Sequence, residues 1–108
     1  MLKIESAQAL SDARNGASLI LFGGEQCGVC HALKPKLQDM LSTEFPLVSG
    51  YYIDCHGRAA GTCAQERVFS LPVVQIWLEG KLFAEFSRVF SLGQVQAAIA
   101  HPYRLLFE

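Results

Sequence analysis

Ser18-Leu-Ile-Leu-Phe22-Gly-Gly-Glu-Gln-Cys27-Gly-Val-Cys30 is the stretch on which the fold turns. Its opening run, Ser18 to Phe22, is continuously apolar after the serine, as expected of a strand buried on both faces. Gly23-Gly24 ends it. A helical pattern follows from about Gly28 to Thr43, with Val29, Leu33, Leu37, Met40 and Leu41 recurring at spacings of three and four. Pro35 lies inside that pattern and predicts a kink. Cys27 and Cys30 therefore stand where a buried strand turns into a helix.

The same reading extends to both ends of the chain. Leu2-Lys3-Ile4 reads as a short opening strand, and Ser6 to Arg14 as a capped helix stopped by Asn15-Gly16. After Pro46, Leu47 to Asp54 reads as a strand, His56-Gly57 as a break, and Arg58 to Phe69 as a short helix weakened by Gly61. Val73 to Leu78 and Lys81 to Ser87 are strands joined by a tight Glu79-Gly80 turn. Ser91 caps a closing helix that runs to Ala100. The order β-α-β-α-β-α-β-β-α defines an α/β protein whose mixed sheet combines βαβ units with one hairpin. Residues 1–108 read as a single domain, with 101–108 as an apolar C-terminal tail.

Composition excludes several classes of function. Of 108 residues, 51% are hydrophobic and only 18% charged, so the chain can bury a core and is not globally disordered. A net charge of -1 gives no basic footprint for nucleic acid. The longest apolar run, Ala17 to Phe22, is too short to span a bilayer. Met1 to Ser6 shows no apolar leader segment, so a cytoplasmic location is expected. There thiols are kept reduced, and a close pair points to catalysis, redox sensing or metal binding rather than to a structural bridge.

Cys27-Gly28-Val29-Cys30 has the spacing for dithiol chemistry. A thiolate at a helix N-terminus is stabilised by unpaired N–H groups and the positive end of the helix dipole. Cys27, the more N-terminal, is the expected nucleophile. Cys30, almost one turn later, can attack a mixed disulfide and release the product. Gly28 keeps the intervening turn tight and lets a partner approach. His31 is either solvent-facing or a cation that favours the Cys27 thiolate. Cys27 to His31 also matches the haem-attachment pattern, but the preceding strand and the nearness of Met40 argue against that reading. Zinc is the stronger rival, with Cys27, Cys30, Cys55 and Cys63 as thiolates and His31 and His56 as substitutes, although the Cys55–Cys63 spacing is wide for a knuckle. Cys55 and Cys63 are either an incidental loop thiol and a buried small hydrophobe, or a second, regulatory redox pair whose Cα atoms must lie within about 7 Å.

These residues, together with Lys34-Pro35, Ile53-Asp54, Leu71-Pro72-Val73 and Glu79-Gly80, resemble the thioredoxin family from end to end. The resemblance implies a mixed central sheet flanked by helices on both faces and a redox pair at Cys27 and Cys30. It implies a cis-proline at Pro72 facing the cysteines, with the Leu71 backbone pairing with an extended client segment. Gly28, Val29, Leu71, Pro72 and Val73 would form the client surface. The expected activity is thiol–disulfide exchange with protein disulfides. No bound cofactor and no metal is required, a recycling reductase is implied, and the expected state is a monomer or a weak dimer through the C-terminal tail. The alternative is a thioredoxin-like binding or adaptor module. Departures from the family pattern are specific: Gln26 replaces tryptophan, Val29 a proline, Leu21 a buried acid, Gly50 a lysine and Arg88 a glycine. Without the strand acid, water, Glu25 or His31 is left to deprotonate Cys30.

Overall fold

The computed structural model describes Met1–Glu108. Nine elements follow in the predicted order: β1 (Leu2–Ile4), α1 (Ala7–Ala13), β2 (Ala17–Gly23), α2 (Gly28–Glu44), β3 (Ser49–Asp54), α3 (Ala60–Gln65), β4 (Val73–Leu78), β5 (Lys81–Ser87) and α4 (Leu92–Phe107). They build one five-stranded sheet in the order β1-β3-β2-β4-β5. β1 and β2 run parallel to β3, and β4 runs antiparallel to both β2 and β5.

Alternation along β2 explains why the sheet is covered on both sides. Leu19 and Leu21 enter one apolar cluster with Leu37 and Met40 of α2 and Val95 and Ile99 of α4. Ile20 and Phe22 point the other way, into a cluster with Leu10 and Ala13 of α1 and Cys63 of α3. All four β2 side chains are fully buried, each contributing about 1.5–3 kcal/mol by removal from water. Such a strand has no solvent face, hence its lack of polar alternation. Glu79 and Gly80 both have positive φ, 53° and 84°, the geometry a two-residue hairpin turn requires. Arg14, at the end of α1, lies over the Trp77 ring of β4 at 4.5 Å and pairs with Glu66 just beyond α3, tying three elements together.

Three boundaries differ from the sequence expectation. β3 begins at Ser49 rather than Leu47, because Phe45 to Val48 form a turn closed by the Val48 N–H on the Phe45 carbonyl at 3.0 Å. α3 is confined to Ala60–Gln65 instead of reaching Phe69. It is closed by Arg67 in the left-handed conformation and by the Val68 N–H donating to the Cys63 carbonyl at 3.0 Å. Glycine normally signals such a helix end, and an arginine there gives no warning. The third difference is the tail. Residues 101–107 are not a separate segment but the last two turns of α4, which passes through Pro102. An internal proline ordinarily breaks a helix. Here Pro102 and Tyr103 are buried, with Tyr103 meeting the Phe45 ring edge-on at a centroid distance of 5.1 Å, so tertiary packing carries the helix onward. No helix is long and apolar enough to cross a membrane.

Candidate redox site

The carboxyl end of β2 is where the pieces converge. Gly23, its last residue, pairs with Asp54 at the end of β3, and Phe22 pairs with Val73 at the start of β4. That register brings the Cys27–Cys30 turn, the Cys55 loop and Pro72 to one end of the sheet. Cys27 caps α2, and its sulfur accepts the Cys30 N–H at 3.2 Å. The cap leaves Cys27 partly open, whereas Cys30 is 1% exposed beneath the first turn. The two are joined as a disulfide with Cα atoms 5.3 Å apart. Gly28 has open space above it, and Val29 is 63% exposed beside it.

Two glycines before the cysteines are required by close approach. A Cβ on Gly23 would lie 2.8 Å from the Tyr52 ring and 3.1 Å from the Cys30 Cβ. A Cβ on Gly24 would overlap the His56 ring. His56 uses that space to accept the Gln26 N–H on Nδ1 at 3.3 Å. Asp54 Oδ1 accepts the His56 N–H at 2.9 Å and the Glu25 N–H at 3.3 Å. His31 Nε2 donates to the Glu25 carbonyl at 2.7 Å. The loop before Cys27 is thus held by a carboxylate and two imidazoles. Sequence reading placed His31 beside the site but missed Asp54 and His56 as loop clamps; the Gly23-Gly24 pair was the available signal that something packs there.

Leu21, at the family's acid position, is fully buried against Leu37 and Tyr52, so no strand carboxylate lies under Cys30. Its register partner Tyr52 fills much of that space, with the Lys34 ammonium 4.4 Å from the ring centroid. Burial raises the Tyr52 phenol above its ordinary value, and the Asp54 and Glu25 carboxylates push it further the same way. Tyr52 therefore keeps its proton at neutral pH.

The Leu71–Pro72 peptide is cis. Leu71 is partly exposed and lines a shallow apolar groove of ≈ 270 Å³ with Cys55, Cys63, Val68 and Phe69. Phe69, 79% exposed, is a groove residue that sequence reading did not single out. The Val73 side chain faces the core, so it offers a client less surface than expected. Cys55 and Cys63 are joined, with Cα atoms 5.6 Å apart, inside the limit for a bridge. The zinc alternative finds no support in this arrangement, in which the four sulfurs form two separate disulfides.

A disulfide pair at a helix N-terminus, one sulfur partly open and the other buried, at the carboxyl end of a central strand is the arrangement of a thioredoxin-fold redox site. Comparison with solved structures agrees: thioredoxin O2 of Arabidopsis thaliana superposes with a TM-score of 0.79 over 94% of this chain and 93% of that one, at 21% identity. Thioredoxin 1 of Thermosipho africanus gives 0.74 over 84% and 99%, at 26% identity. Among curated sequences, thioredoxin of Geodia cydonium is 30% identical over 84 residues, covering 78% of this chain and 77% of the relative. Thioredoxin-like protein YdfQ of Bacillus subtilis is 28% identical over 88 residues, covering 82% and 77%. No family model matches the sequence. The chain belongs to the thioredoxin family. It is a thiol–disulfide oxidoreductase that acts on protein disulfides and is recycled by a reductase.

Proposed function

We propose that Cys27 is the attacking thiolate and Cys30 the resolving thiol of a cytoplasmic disulfide reductase in which residues 1–108 work as one unit. The carrying observation is the contrast between the partly open Cys27 sulfur at the α2 cap and the buried Cys30. In the reduced protein, the Cys27 thiolate attacks a client disulfide, forming the mixed disulfide and expelling one client thiolate. Cys30, once deprotonated, attacks the Cys27 sulfur, closing the internal disulfide and expelling the second client thiolate. Two electrons pass to the client, and a reductant restores the dithiol. Val29 and Leu71 form the contact surface, Gly28 leaves room above the turn, and Pro72, itself buried and so offering a client less surface than expected, is held to the sheet by Val73. Insulin reduction tests the assignment: the wild type with a dithiol reductant precipitates the insulin B chain, and Cys27→Ser falls to the uncatalysed rate. A Cys27→Ser protein as active as wild type would refute it.

The second pair supports a regulatory reading. Cys55 follows β3 directly, its N–H donates to the Gly23 carbonyl at 2.8 Å, and its neighbour His56 clamps Gln26. We infer that opening the Cys55–Cys63 bridge loosens the loop in front of Cys27. A closed loop of this length is worth about 2–3 kcal/mol. The Cys55→Ser/Cys63→Ser variant is therefore expected to show a urea midpoint lowered accordingly and a changed Cys27 reaction rate. An unchanged midpoint together with an unchanged rate would remove the bridge from any regulatory role. The exposed ends of α4, including Leu105 and Leu106, favour at most a weak self-association.

A further inference from the structure

Where β4 starts and β5 ends, two arginines line one groove without ion-pair partners. Arg88 follows β5 directly, and its N–H donates to the Pro72 carbonyl at 2.8 Å, which fixes it level with the start of β4. Val89 beside it is 95% exposed. Arg67 lies across a groove of ≈ 280 Å³ whose walls include Val68, Ser70 and Ser87. Two acids share this groove, and both are engaged: Glu66 pairs with Arg14, and Glu85 accepts from Gln75 Nε2 at 2.7 Å. Neither Arg67 nor Arg88 has an ion-pair partner. Both arginines also hold left-handed backbone, with φ of 59° and 62°, where glycine would be less strained. Backbone economy therefore does not explain why long cations occupy these positions. A ligand-facing role does.

We propose that Arg67 and Arg88 are specificity-determining residues that select disulfide clients carrying a carboxylate side chain close to the reacting cysteine. The proposal rests on the reading that a client strand extends beside Leu71 and exchanges with Cys27. Such a strand, leaving the cis-proline, passes the mouth of the groove that the two guanidinium groups flank. Exposed ion pairs are individually weak and are screened by salt, so the selection acts mainly on encounter and is read as a ratio of rates.

The test uses three short peptides with one internal disulfide, identical except for Glu, Gln or Lys beside one cysteine. Their second-order reduction by the dithiol form of the full chain is followed at low and at high salt. The Glu peptide is expected to react about tenfold faster than the Lys peptide at low salt, with the ratio falling towards one at high salt. Arg67→Gly/Arg88→Gly suits both backbone conformations and should collapse the ratio at low salt as well. Equal Glu and Lys rates in the wild type, or an undiminished ratio in the double variant, would overturn the proposal while leaving exchange intact. Failure to reduce any of the three, the neutral Gln peptide included, would overturn the exchange reading beneath it.

Discussion

Cys30→Ser should convert the protein from a turnover catalyst into a trap. Cys27 still attacks, because its environment at the α2 cap is untouched, but nothing remains to break the mixed disulfide. Steady-state reduction is expected to fall on the order of a thousandfold, equivalent to about 4 kcal/mol of lost barrier lowering. One client should remain attached per chain, visible as a mass increase that a strong reductant reverses. The serine is close in volume to the cysteine it replaces, and the site is 1% exposed, so the effect belongs to chemistry rather than to exposure of the turn. If the variant turned over normally, Cys30 would not be the resolving group, and Cys55, the partly exposed sulfur of the second pair, would be the next candidate.

The second large effect concerns stability. Tyr103→Ala removes a ring that touches Phe45 at 5.1 Å and Phe107 at 5.0 Å, and whose hydroxyl accepts the Leu47 N–H at 3.4 Å. Truncating a large buried aromatic costs about 3–4 kcal/mol. In a domain of this size that corresponds to a fall of about 15 °C in Tm. Leu105, 73% exposed on the same helix, provides the contrast, since Leu105→Ala should change stability by less than about 0.5 kcal/mol. Deleting 101–108 should cost at least as much as Tyr103→Ala. A deletion that left Tm unchanged would mean that the last turns of α4 dock elsewhere and do not hold the core.

The fold was legible in the sequence wherever the local signal and the tertiary demand agreed. Ser18 to Phe22 reads as a doubly buried strand because it is one, and Glu79-Gly80 reads as a hairpin because both positions adopt positive φ. Legibility failed where tertiary contacts overrode local preference. The closing helix reads as ending at Ala100, yet the Tyr103–Phe45 contact carries α4 past Pro102. Arg88 reads as a departure from a family glycine and Arg67 as part of a helix reaching Phe69, yet both sit in left-handed backbone. The site divided in the same way. The Cys27–Cys30 spacing exposed the redox pair directly. The loop clamps did not show, because Asp54 and His56 reach the loop through a parallel strand pairing some thirty residues away in sequence. The pairing of Cys55 with Cys63 reduced to a single distance, and that distance is 5.6 Å.

The division of labour between the two cysteines is tested most directly by alkylating the reduced protein with limiting iodoacetamide at neutral pH and mapping the label by mass spectrometry. When only the Cys27–Cys30 pair has been opened and the Cys55–Cys63 bridge stays closed, the first label is expected on Cys27, at a rate above that of an ordinary thiol, while Cys30 stays unmodified. Labelling of Cys30 first, or of Cys27 no faster than a free cysteine, would contradict it.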